Sequence, residues 1–367
     1  TGPTETDPTV FELPGLDAAR LVFINGFFDT GASDLSKLPD GVRVDRLIDR
    51  FRDGYVLETD AESRLFELLN TAFVSDGVEV TVEADTQADT PIYLLFVAVG
   101  DDEQTVLITP RTIVRSGANS RITLIEHHVG TGGGKTLTNA VTDVQLSTGA
   151  VLEHYKLQHE QADAFHIHGI RVDQARDSRY ESHNINLGGG LVRNDLNVQL
   201  REHGAGTLLN GLFLVRGSQH VDNHTRIDHL SAHTSSEETY RGVLDDKSRG
   251  VFSGKVVVHP NAQKIDAQQS SDNLLLSAGA EIDTKPELEI YADDVKCSHG
   301  ATVGRVDEDA LFYLRSRGLD AEAAGLLLTW AFADEVLARL RLEPVRRYLE
   351  RTVFGRLPGH GELEVPQ

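Results

Sequence analysis

Methionine is missing from this chain of 367 residues, and cysteine and tryptophan occur once each. A single cysteine cannot close an internal disulfide, and it excludes a complete zinc site made of this chain's own cysteines, so a reducing compartment is expected. The missing methionine carries no functional reading. No stretch approaches the roughly 18 uninterrupted apolar residues of a spanning helix, and the polar start TGPTETDPTV lacks the basic and apolar regions of a secretion signal. The cytoplasm is therefore the expected location. Basic residues are scarce too, with 35 Lys and Arg against 57 Asp and Glu and a net charge of −22. Such a surface repels nucleic acid and anionic membranes, and leaves cations or a basic protein face as partners.

What is present is ordinary for a globular protein: 40% hydrophobic residues, 25% charged and 33 glycines. The length suggests roughly two to three domains. Residues 1–92 read as a mixed α/β region, with LVFINGFFD as strand and turn, DRLIDRF and AESRLFELLNTAF as short amphipathic helices, and VEVTVEA as an alternating strand. From 93 to 304 the texture changes to short β-rich runs such as YLLFVAV, RITLIEHHV, VLEHYKL and KVVV between turns rich in Gly, Asn and Asp. No helix of more than two turns is expected there. Many short strands in succession predict a sandwich, a barrel or a β-helix. A weak repeat favours the β-helix. The segments at 208–227, 252–271 and 283–303 overlay as apolar strand, polar corner and second strand, at unequal intervals, with the sandwich as the rival.

After Gly304 the spacing becomes helical, over a third region at 305–367. Asp307 can cap a helix that Gly318 stops, and Asp320 can cap the next one. Leu326, Trp330, Ala333, Leu337 and Leu340 then form one apolar stripe, and Pro344 interrupts the pattern before a last helix containing YLERTVF. The stripe reads either as packing against the β core or as a docking surface.

Several motifs invite chemistry. VGTGGGKTLTN (129–139) resembles a phosphate loop, but Gly134-Lys135-Thr136 would need glycine where Val129 stands, and strand follows; a flexible hairpin is the better reading. His166 and His168 in FHIHG are two apart and so share one strand face, as metal-binding histidines can, and His220, His224 and His229 cluster in QHVDNHTRIDH. The same residues suit the polar corners of a solenoid. Nothing resembles a nucleophile elbow. In VKCSHGATVG (295–304), Cys297 and His299 would project to one face, giving a thiol and an imidazole that suit iron, zinc or sulfur transfer, or else leaving Cys297 as a small buried hydrophobe.

The run LEIYADDVKCSHGATVG (288–304), followed by DEDALFYLRSRGL (307–319) and LLLTWAFADEVL (326–337), resembles the SufD branch of the SufB/SufD family of the SUF iron–sulfur cluster assembly system. The likeness extends more loosely through 165–198 and the LLNGLFL region, over about two thirds of the chain. It implies a right-handed parallel β-helix core followed by a C-terminal helical domain. It also implies a scaffold, not an enzyme, which pairs with SufB and docks the ATPase SufC in a SufBCD complex; whether the isolated chain forms a self-dimer is left open by the sequence. By the same likeness, His299 is the interface metal or cluster ligand acting with a SufB cysteine, and Cys297 is its neighbour in the motif. SufC docking falls to the C-terminal helices, with Arg315, Arg317, Leu326, Trp330, Asp334 and Leu337 as the expected contacts. No cofactor is expected in the isolated chain, only transient iron or an iron–sulfur cluster in the complex. Family members carry an N-terminal helical region with a Trp-Arg-Tyr-Thr-like segment, whereas this sequence begins almost at LVFINGFFD, as trimming or a naturally short version would leave it. The competing readings are a carbohydrate-active β-helix enzyme, which would need paired carboxylates in an exposed groove, and a histidine-rich metalloenzyme.

Overall fold

Alternation of inward and outward side chains along short strands, with a turn after each, leaves the chain one economical path: to wind. The computed structural model, described over residues 6–57 and 65–359, is a β-solenoid of about eight coils. Each coil contributes one strand to each of two facing ten-stranded sheets. The first sheet runs from Phe27–Asp34 and Ala19–Ile24 through Ile92–Val99, Arg121–Thr131, Val151–His159, Arg179–Asn186, Gly206–Val215, Ser235–Leu244 and Ile265–Leu275 to Val295–Gly304. The second runs from Val42–Arg46 and Gly77–Val82 to Glu281–Ile290. Neighbours pair in parallel except at the start of each sheet. There, Phe27–Asp34 lies antiparallel on Ala19–Ile24, and Val42–Arg46 lies antiparallel on Gly77–Val82. Among the described residues no helix interrupts 93–304.

The winding depends on one corner conformation. Asp85, Asn119, Gly149, Asp177, Gly204, His233 and Lys264 all have positive φ, and each stands where the chain passes from the second sheet to the first. A left-handed residue there turns the backbone sharply. It also lets each corner amide bond the corner carbonyl of the next coil, as in Asn119 to Thr148, Gly149 to Arg176 and Asp177 to His203. The VGTGGGKT stretch is a corner of the opposite kind, from the first sheet to the second. It is not a hairpin, because the strand after it, Thr136–Leu146, pairs in parallel. The three overlaid repeats also mix phases: 208–227 crosses from first sheet to second, whereas 252–271 and 283–303 cross from second to first. A slip of half a coil keeps the in-out alternation, which is why the overlay looked sound.

The lumen between the sheets holds an apolar half, with Leu94, Leu124, Leu152, Tyr180, Leu209 and Phe252 among its buried members. Among the described residues five α-helices lie outside the sheets: α1 (Leu47–Arg52), α2 (Leu65–Phe73), α3 (Glu308–Ser316), α4 (Ala321–Leu337) and α5 (Glu343–Phe354). Asp307 and Asp320 cap α3 and α4, each accepting from a backbone N–H at 2.8 Å, and Gly318 ends α3 at φ +100°. α4 and α5 cover the outer face of the first sheet, burying Leu326, Trp330, Leu337 and Leu349 with Val97, Ile125, Leu157 and Leu212. α2 sits on the second sheet, where Asn70 Nδ2 donates to the carbonyls of Pro110 (2.9 Å) and Asn139 (2.8 Å). The expected start of that helix at residues 61–64, and most of the tail LPGHGELEVPQ, lie outside the described residues. No helix among the described residues is long and apolar enough to cross a membrane.

Candidate functional site

The two ends of the solenoid differ. At the start, antiparallel strands close both sheets; at the finish, Glu281–Ile290 and Val295–Gly304 are the last strands, and no further strand pairs with either among the described residues. Their unpaired backbone groups form a template for another chain. Cys297 and His299 lie on this last strand and share the lumen-facing parity. Cys297, opposite Ala267, packs against the apolar core and is half-buried, while His299, one step further out and opposite Gln269, is exposed because no coil covers it. Burial, and to a lesser degree the charge of Asp266, raises the Cys297 thiol above its ordinary range and so makes it a weaker thiolate donor. Behind His299 the lumen stays polar: Gln269 Nε2 donates to Glu238 at 2.6 Å, and burial pushes Glu238 up to about 7.

The six docking positions expected on the C-terminal helices separate into two groups. Leu326, Trp330 and Leu337 are buried under the protein's own first sheet, with Trp330 edge-on to Phe354 at 5.4 Å. The apolar stripe therefore packs the core, and these three side chains present nothing to a partner. Arg315 and Arg317 are exposed, and Asp334 is half-buried. Beside them α3 has no buried residue; Phe312 is 73% exposed and Tyr313 56%, with the Arg317 guanidinium 5.1 Å over the Tyr313 ring. Spacing marks the stripe on α4, whereas the most exposed aromatic side chains of the C-terminal helices stand on α3.

A second constellation lies wholly inside. On Arg121–Thr131, Glu126 and His128 face the lumen; on Val151–His159, His154 and Lys156 do; across the gap stand His166 and His168 on Phe165–Gln174. Glu126 accepts from Thr112 (2.6 Å) and Thr142 (2.9 Å) and lies 2.9 Å from His154 Nε2. Burial alone would raise its carboxyl, but the hydrogen bond and charge of His154 hold it at about 2. Glu160 Oε2 lies 2.7 Å from His166 Nδ1. Burial keeps His128, His166 and His168 below the usual imidazole range, so they are neutral. Lys156 donates to Asn194 (2.8 Å) and Asn186 (3.1 Å), and burial lowers it to about 7. The sequence marked His166 and His168. It passed over Glu126, His128 and Lys156, although the i, i+2 spacing in IEHHV carries the same face signal. His220 and His224 point outward, where His224 pairs with Asp222, and buried His229 is occupied by Thr234 and Ser236.

Residues 97–332 match the family model described as SUF system FeS cluster assembly, SufBD core domain. The chain is 32% identical over 347 residues to the iron–sulfur cluster assembly protein SufD of Escherichia coli, covering 94% of this chain and 80% of that one. It is 35% identical over 357 residues to an iron–sulfur cluster assembly SufBD family protein of Synechocystis, covering 94% and 79%. Protein ABCI7, chloroplastic, of Arabidopsis thaliana is 32% identical over 349 residues, with 92% and 73% covered.

Proposed function

This chain belongs to the SufBD family of SUF iron–sulfur cluster assembly proteins, and from that membership we propose that it is a non-catalytic scaffold subunit that pairs end to end with SufB and docks the ATPase SufC. The observation that carries the reading is the uncapped end of the solenoid. Two bare strands, Glu281–Ile290 and Val295–Gly304, offer their edges side by side, and a second solenoid with a similar end could extend both sheets at once. His299 would then lie at the seam. A neutral imidazole ligates iron, and one such ligand is too weak alone, so a cysteine of SufB would complete the site for iron or a nascent cluster as cargo. Cys297 contributes less, since its thiol is held protonated.

For SufC, the exposed Phe312, Tyr313, Arg315 and Arg317 of the α3 region offer aromatic and cationic anchors of the kind that dominate protein interfaces. α3 follows directly on the strand bearing His299, so movement of a docked ATPase would reach the seam through a short link. Co-expression with SufB and SufC from the same source tests the reading: a stable three-component complex is expected, and failure to co-purify with either protein removes it.

A further inference from the structure

Three buried imidazoles in the lumen each keep at least one ring nitrogen without a hydrogen-bond partner among the described residues. Neither ring nitrogen of His128 has a hydrogen-bond partner among the described residues, and His166 Nε2 and His168 Nδ1 are likewise unpartnered, although all three side chains are buried. A buried polar nitrogen without a partner costs free energy, and three together call for an explanation. The rings converge: centroids are 4.8 Å apart for His128 and His166, 5.3 Å for His128 and His168, and 5.8 Å for His166 and His168, each pair close to perpendicular. One nitrogen from each lies within 4.8 Å of the others.

The surroundings are those of a metal centre. Glu160 Oε2 stands 2.7 Å from His166 Nδ1, and Thr142 Oγ1 stands 2.9 Å from His168 Nε2, which leaves His166 Nε2, His168 Nδ1 and either nitrogen of His128 clear of these contacts. A carboxylate behind a histidine in this way fixes the ring and raises its basicity toward a metal. Phe96 stacks on His128 at 4.7 Å and holds that ring from the side. Glu160 is itself held by Thr138 (2.7 Å) and Gln158 (3.0 Å). The two strands carrying these ligands belong to opposite sheets, so an ion here would tie the sheets together across the lumen.

We propose that His128, His166 and His168 form a resident site for one divalent first-row metal ion, zinc or ferrous iron, inside the solenoid and separate from the exposed His299. Three imidazole nitrogens suit those ions. Because the site is closed to solvent, the ion enters during folding and contributes to holding the sheets together.

The full chain is unfolded with a chelator and refolded with and without Co2+, the probe for either ion. One equivalent of bound Co2+ is expected, with the intense visible bands of a low-coordinate nitrogen site and a higher unfolding midpoint. His166→Ala and His168→Ala lose both signals, whereas His299→Ala keeps them. Should the luminal variants fail to fold, crystals of the Co2+-loaded wild type decide through the anomalous peak, which belongs about 2.1 Å from all three imidazoles. The proposal is overturned if wild type refolds without taking up Co2+, if folded luminal variants keep the full equivalent, or if the peak lies elsewhere. None of these readouts involves SufB or SufC, so the site and the scaffold role stand or fall separately.

Discussion

Glu160 Oε2 lies 2.7 Å from His166 Nδ1, and both side chains are enclosed by the solenoid, more than a hundred residues along the chain from the strand that bears His299. His166 and His299 thus stand in environments of opposite character. One is enclosed, with the Glu160 carboxylate beside it; the other is exposed on the last strand of its sheet. Their separation makes each testable without the other.

Glu160 supports three partners at once, His166, Thr138 and Gln158. Glu160→Ala leaves all three buried and short of an acceptor, and a loss of about 3 kcal/mol or more is expected in urea unfolding. Glu160→Gln, which keeps an acceptor oxygen, should cost less. Equal stability of wild type and the Ala variant would contradict the arrangement.

Glu238 gives the pH dependence a definite sign. Burial raises its carboxyl from an ordinary 4.5 to about 7. Below pH 4.5 it is protonated folded or unfolded; between 4.5 and 7 only the unfolded chain loses the proton, so its contribution falls as pH rises and levels off above 7. Glu238→Gln removes the titration. Across that window the variant should gain on wild type by about 3 kcal/mol at most. A constant difference from pH 4.5 to 7 would count against a protonated, buried Glu238.

Trp330 and Phe312 separate packing from docking. Trp330→Ala opens a cavity beneath α4 and should cost about 3–5 kcal/mol. Phe312→Ala, on a helix with no buried residue, should leave stability within about 0.5 kcal/mol while weakening capture of SufC. Retained SufC capture by the double variant Phe312→Ala, Tyr313→Ala moves the docking surface off α3.

Cys297 and His299 share a face and differ in exposure. With its thiol raised by burial, Cys297 should react with iodoacetamide more slowly at pH 7.5 than free cysteine does. His299→Ala should spare folding and complex formation yet lower the iron and sulfide content of the complex, and Cys297→Ser should lower it less. Equal content in wild type and His299→Ala reduces the motif to an ordinary strand end.

Much of the architecture was legible because alternation and helix caps are local. Asp307, Asp320 and Gly318 act within a turn of their own position, and each stands where the spacing put it. The coil period was harder. Its defining corner is held by Asp, Asn, Gly, His or Lys, which share a positive φ but no residue identity, so the repeat showed only as texture. The luminal cluster was half legible. His166 and His168 stand out in FHIHG, but His128 lies 38 positions earlier in number than His166 and meets it only because one full coil intervenes and the sheets face each other. The stripe on α4 could not be assigned from spacing, since a helix packed on its own sheet and one offered to a partner carry the same period.

The uncapped end is tested most directly by amide hydrogen exchange over Glu281–Ile290 and Val295–Gly304, for the chain alone and co-purified with SufB. Edge amides that face solvent exchange quickly, and pairing with another strand slows them. Marked protection of both strands in the complex, with little change at the opposite end around Phe27–Asp34, is the expected result. A stable complex in which these two strands exchange as fast as they do in the free chain contradicts end-to-end pairing.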